Sequence, residues 1–194
     1  MIILVGFLVF VGVGASINHF FQQPYNEGFL AYPGITGIHV ISGGIYLLLA
    51  PFQFVAGIRT RWIKYHRYAG RALVIIGVFV GLSAVFIAIV IPFSGWIESV
   101  INGFFGVLFL VALVKSFLMV RSKNIDLHRE WMIRAFAIGL GIATMRLIFI
   151  PALIIAGSTS HQTTASLSII AFTIAFISHV GVAEFWIRKT RVNS

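Results

Sequence analysis

The chain has 194 residues, 59% of them hydrophobic and 10% charged, and carries a net charge of +9. A soluble domain is about one-quarter charged, so this composition excludes an ordinary water-soluble fold and makes the bilayer the natural solvent. There is no cysteine, which removes disulfides, thiolate metal sites and thiol nucleophiles. The basic residues lie in short loops between apolar runs, where membrane topology accounts for them without nucleic acid.

A helical span needs about 20 predominantly apolar residues. The sequence predicts spans at 2–17, 35–58, 70–93, 98–120, 131–157 and 163–187, a single transmembrane domain over the whole chain. The first is short and has no Lys or Arg before it, unlike a secretory leader. It reads as a retained span, although Ala15-Ser16 would allow cleavage. The loop at 18–34 holds Phe20, Phe21, Tyr25, Phe29 and Tyr32 among turn residues, either an aromatic belt at the headgroups or a lid over an outward pocket. No run alternates with period two, so the spans are helices and the fold is an all-α integral membrane bundle.

Orientation follows from charge. Arg59, Arg61, Lys64, Arg67 and Arg71 cluster after the second run, Lys115 to Arg134 around the fourth and fifth, and Arg188, Lys189 and Arg191 close the chain. If six helices alternate, every lysine and arginine except Arg146 falls on one side. That side is expected to be cytoplasmic, with both termini there, in a multi-pass protein of the inner (cytoplasmic) membrane.

Two corners repeat. Arg59-Thr-Arg61-Trp-Ile63-Lys-Tyr-His66-Arg67 recurs 62 positions on as Arg121-Ser-Lys123-Asn-Ile125-Asp-Leu-His128-Arg129. Each leaves one span and enters the next, and a further arginine follows, Arg71 and Arg134. The pattern suggests parallel duplication of a two-helix unit. His66 and His128, at one depth, are candidate axial metal ligands. Arg67, Arg71, Arg129 and Arg134 could then hold haem propionates or a phosphate. The alternative is ordinary: His-Arg pairs at a membrane boundary bind lipid phosphate and fix orientation.

Arg146 lies deep in the fifth run, expected roughly 20 Å from its inner end at 1.5 Å per residue, and a buried arginine needs a partner or water. His39, near the outer end of the second run, is its expected neighbour. No acidic residue shares that depth on the second, third or fifth run. A quinone headgroup or a propionate is therefore a candidate counterpart, with Ser42, Tyr46 and Gln53 as further hydrogen-bonding groups. His179 could share a ligand with His66 or His128, or bond a carbonyl. His19 and His161 are expected to be solvated. Glu184 is expected to pair with Arg188, four residues on. Gly77-Val-Phe-Val-Gly81 and other small residues indicate close helix packing.

The stretches IHVISGGIYLLLAPFQF, HRYAGR and HREWMIRAFAIGLGIATMRL resemble the predicted membrane proteins known as domain of unknown function 2306, over roughly His39 to Pro151. The residues that carry the resemblance are His39, Gln53, Arg59, His66, Arg67, Gly70, Arg71, His128, Arg129, Trp131, Met132, Arg134 and Arg146. It implies a fold and no activity. A looser similarity is to transmembrane b-type cytochromes, which place axial histidines at two depths; here the outer level lacks a second in-membrane histidine.

Three functions compete. The first is a redox component binding b-type haem or quinone through His39, Arg146, His66, His128 and His179. The second is a non-catalytic subunit packed against other membrane proteins. The third is a small transporter, disfavoured because only Arg146 is deep and no acidic relay accompanies it.

Overall fold

The computed structural model describes residues 31–157 and 160–191, together with residues 6, 10 and 14. The predicted first span, the loop aromatics before Tyr32 and His19 lie outside the described residues. The described residues form helices α1 (Pro33–Leu49), a 3-10 segment (Ala50–Phe54), α2 (Ala56–Arg61), α3 (Ile63–Val90), α4 (Trp96–Arg121), α5 (Ile125–Ala156) and α6 (His161–Arg191). Among them there is no strand.

Five helical stretches are long and apolar enough to cross a bilayer: Pro33–Phe54, α3, α4, α5 and α6. Helices suit lipid because every backbone group is satisfied within the segment. At ~1.5 Å per residue, the 28 residues of α3 reach about 42 Å, beyond the ~30 Å hydrocarbon layer. Large apolar side chains stay exposed along the flanks, among them Ile154, Ile155, Phe185 and Ile75, as a lipid-facing surface requires. The chain is a multi-pass helical membrane protein.

Local chemistry sets the helix ends. Pro33 opens α1, where its missing N–H costs nothing. Pro51 then ends the regular helix: it cannot donate to Leu47 and its ring crowds that carbonyl, so the chain tightens into the 3-10 segment. Gly95 caps α4 at φ 83° and ψ −163°, a conformation that disfavours any side chain. Asn124 caps α5 by accepting from Leu127 N–H at 3.1 Å. The left-handed Gly157 closes α5.

α5 begins at Ile125, six residues before the predicted 131, and α6 runs to Arg191. The charged first turn of α5 and last turn of α6 are helical but not apolar, so hydropathy alone misses them.

The repeated corners share one register. α3 and α5 start 62 residues apart, and each histidine N–H bonds the residue before its helix: His66 to Trp62 O and His128 to Asn124 O, both at 3.0 Å. The preceding helices differ. α4 is continuous to Arg121, whereas its counterpart breaks at Pro51.

Helices contact in chain order, α1 on α3, α3 on α4, α4 on α5 and α5 on α6, with α4 also meeting α6. The core centres on Tyr46, which is 1% exposed and lies between two glycines 62 positions apart. A Cβ on Gly77 would stand 3.2 Å from the Tyr46 ring, and one on Gly139 3.5 Å from it. Gly77 and Gly81 both face α4, so the small-residue pattern serves packing. Phe105, Phe172 and Phe176 stack between α4 and α6, with Phe105 and Phe176 centroids 4.4 Å apart.

Candidate functional site

The polar residues of the bundle fall into two regions. One lies at the basic end, where α3 and α5 begin and α4 and α6 finish. The other lies toward the opposite end, in a cavity of about 660 Å³ bounded by all five long helices.

At the basic end, charges meet charges. Arg134 bonds Glu184 through two nitrogens, at 2.6 and 3.0 Å, and stands 3.7 Å from Glu130. Arg191 makes a bidentate pair with Glu130. Arg129 donates to Thr190 at 3.3 Å. These contacts tie α5 to α6. Glu184 thus pairs with Arg134 across the helix interface rather than with Arg188 along its own helix. The bidentate fork fits a carboxylate better than a single i,i+4 contact. Trp131 is flanked by Lys115 and Arg134, each 4.6 Å from its ring. Arg67 and Arg71 are exposed, Arg71 lying over Tyr68 at 5.8 Å.

The two corner histidines are brought within electrostatic reach of each other, with Arg59 and Arg67 beside them. They are held differently. His128 Nδ1 lies 2.9 Å from the Ser116 carbonyl, which can only accept, so Nδ1 carries the proton. His66 Nδ1 is buried and has no partner. Position 116 corresponds to Phe54 in the first corner, so the serine that steadies His128 has no equivalent there. His179 is elsewhere: its Nε2 meets Thr144 Oγ1 at 2.6 Å. Thr144 is about 24 Å from His128 along α5 at ~1.5 Å per residue, so His179 and His128 cannot share one metal. Among the described residues, no group of three or more His, Cys, Asp or Glu side chains converges on a metal position.

The cavity brings together His39 and Arg146, as expected from depth. Both line it, and they lie within electrostatic reach of each other. Arg146 stands about 32 Å from Ile125 and about 15 Å from Ala156 at ~1.5 Å per residue. It is deeper into α5 than expected because the helix starts earlier. Its Nη1 is buried without a partner.

Tyr46 also lines the cavity, two turns from His39 on the same face of α1. Its hydroxyl is buried and unpaired. Ser42 and Gln53 do not contribute. Ser42 donates back to Ile38 O, and Gln53 sits beside Gly70, outside the cavity lining.

Two cavity residues, Glu98 and Asn102, and one residue that contacts the cavity's His39, Ser83, were not foreseen. Glu98, expected only as the first residue of a span, lies in the first turn of α4 and is 7% exposed. Its carboxylate accepts from Ser94 N–H and from Asn102 Nδ2, the latter at 3.2 Å. Asn102 Oδ1 is buried and unpaired. Glu98-xxx-Asn102, two polar residues one turn apart on an otherwise apolar helix, is the signal that would have found both. Ser83, on α3, meets His39 Nδ1 at 2.9 Å; nothing in its spacing announces this.

The cavity is largely apolar. Apolar walls from Phe105, Phe109, Phe172 and Ile142 surround a few convergent polar atoms. Gly43 lines the cavity, and a Cβ there would meet nothing within 4 Å. Glu98 and Arg146 both line the cavity.

Fold and cavity together define a helical membrane protein with an amphipathic pocket near one end of its bundle. The model of the family described as "Predicted membrane protein (DUF2306)" matches residues 36–187, and the chain belongs to that family. The match reaches past Pro151 to take in α6, with His179 and Glu184. No curated protein matches the chain, and no solved structure does.

Proposed function

We propose that the protein is a membrane redox component that takes a quinone-class ligand in the cavity bounded by His39, Tyr46 and Arg146. One observation carries this: three buried polar atoms without partners, Tyr46 Oη, Arg146 Nη1 and Asn102 Oδ1, belong to residues lining a single, largely apolar cavity. Buried polar groups are normally paired, and the oxygens of a quinone-class ligand supply acceptors for the two donors, Tyr46 Oη and Arg146 Nη1. A quinone ring offers carbonyl oxygens to Arg146 and Tyr46, and its apolar tail suits walls continuous with lipid-facing helices.

A b-type haem suits this cavity less well. Its propionates would meet Glu98 as well as Arg146, and His39 is the only histidine in the lining. At the basic end, the carboxylate held by Arg134 is already the chain's own Glu184.

Charge asymmetry supports placing the basic end in the cytoplasm, so the cavity opens toward the far side of the inner membrane. The chain's lack of cysteine makes this directly testable. In sealed cells an impermeant thiol reagent should label Trp96→Cys and spare Lys123→Cys; the reverse would invert the orientation.

The ligand is tested by purifying the protein from its membranes and extracting it with organic solvent. A quinone recovered in near-stoichiometric amount from wild type, and lost from Arg146→Leu, is the expected result. Protein that carries no quinone and takes up none when it is supplied would end the proposal.

A further inference from the structure

The cavity's open polar atoms differ in what they need, and the surrounding hydrogen bonds fix which is which. Asn102 uses Nδ2 to donate to the Glu98 carboxylate at 3.2 Å. A carboxylate cannot donate in return, so the amide orientation is set and Oδ1, an acceptor, is the atom left unpaired.

His39 is set by the same logic. Ser83 Oγ lies 2.6 Å from Phe79 O and 3.0 Å from Val80 O, so its single proton goes to a backbone carbonyl. The 2.9 Å contact with His39 Nδ1 therefore needs the proton on Nδ1. A neutral His39 then presents Nε2 as a bare acceptor.

The cavity accordingly has a donor half, Arg146 Nη1 and Tyr46 Oη, and an acceptor half, Asn102 Oδ1 and His39 Nε2. A quinone carries acceptors only and leaves the second half unpaired. A ring bearing hydroxyl groups satisfies both. We infer that the site selects the reduced, hydroxyl-bearing form of its ligand, a quinol, with Asn102 and His39 as the specificity-determining residues. This rests on the quinone-class reading above and adds the oxidation state that the cavity prefers. An unpaired buried acceptor carries a penalty that a ligand hydroxyl relieves, and rejection of analogues that leave site groups unpaired is a general route to selectivity.

The test measures equilibrium binding of a short-chain benzoquinol, kept anaerobic, and of the matching benzoquinone to the full chain in lipid nanodiscs. Wild type should bind the quinol about tenfold more tightly, the ratio expected for one neutral hydrogen bond gained in a buried site. Asn102→Leu should cut that ratio to about twofold, the part that His39 retains, while quinone affinity stays within about threefold. Asn102→Gln, which keeps an amide oxygen and an N–H donor for Glu98, should retain the preference. Equal or tighter quinone binding by wild type overturns the inference, and so does an Asn102→Leu variant that weakens both forms alike. The wild-type ratio decides by itself if Asn102→Leu fails to fold. If neither form binds wild type, the quinone-class proposal fails as well, which separates the two failures.

Discussion

At the basic end of the bundle, Arg134 grips Glu184 and Arg191 grips Glu130; toward the opposite end, Arg146 Nη1 is buried without a partner, as are Tyr46 Oη and Asn102 Oδ1. The same residue type is thus satisfied in one place and left open in the other. A satisfied network at a helix interface serves architecture. An open one, in a cavity, is destabilising unless something else completes it, and that asymmetry separates the site from the scaffold.

The largest test of this contrast is Arg146→Leu. It should weaken ligand binding by about 10- to 100-fold, the span for losing a charged hydrogen bond. It should also raise stability by about 1–2 kcal/mol, because an arginine in a membrane interior is unfavourable by about 2.5–3.5 kcal/mol on insertion scales and its remaining contacts offset part of that. Reversible unfolding in mixed micelles, alongside a binding titration, reads both. A variant that binds normally would reduce Arg146 to a structural residue.

Gly43→Leu comes next. Its side chain enters open space in the cavity, so binding should fall about tenfold with stability within ~0.5 kcal/mol of wild type. The reverse pattern is expected at the other end. Arg134→Leu should lower stability by about 1–2 kcal/mol, a value discounted because Glu184 is 35% exposed and partly screened, and should leave ligand affinity unchanged. Loss of binding in Arg134→Leu would show that the two regions are coupled.

Much of this bundle was legible in the sequence because apolar length and charge asymmetry are strong, local signals. Five of the six predicted spans, the first lying outside the described residues, and the depth relation of His39 to Arg146 needed nothing more. The corner repeat also predicted a shared helix start, found at Ile63 and Ile125. What escaped were features set by tertiary contact. Glu98 marked only the edge of a predicted span because a carboxylate ends an apolar window, yet the helix begins at Trp96 and the buried carboxylate accepts from Ser94 N–H. Arg134 and Glu184 are 50 residues apart, and no periodicity joins them. His179 looked like one of a set of inner histidines, but helix length separates it from His128. Ser83 was invisible because a serine on an apolar helix commonly bonds its own backbone, and this one does so while also holding His39.

That last pair gives the finest test. Ser83 and Ser116 each lie against a histidine Nδ1, at 2.9 and 2.8 Å, and both are buried. Their roles differ because His128 also has the Ser116 carbonyl, at 2.9 Å, which no side-chain substitution at that position removes. Ser116→Ala should therefore leave His128 oriented and change stability by under about 1 kcal/mol. Ser83→Ala takes the hydroxyl from His39 and leaves its ring free to turn or change tautomer. Quinol affinity should then fall about fivefold, the equivalent of ~1 kcal/mol, with quinone affinity unmoved because the donors Arg146 and Tyr46 remain. Substituting both serines should add no further loss of binding. If Ser116→Ala instead weakens quinol binding as much as Ser83→Ala does, the histidine that faces the ligand is not distinguished by its serine, and the assignment of His39 to the acceptor half is wrong.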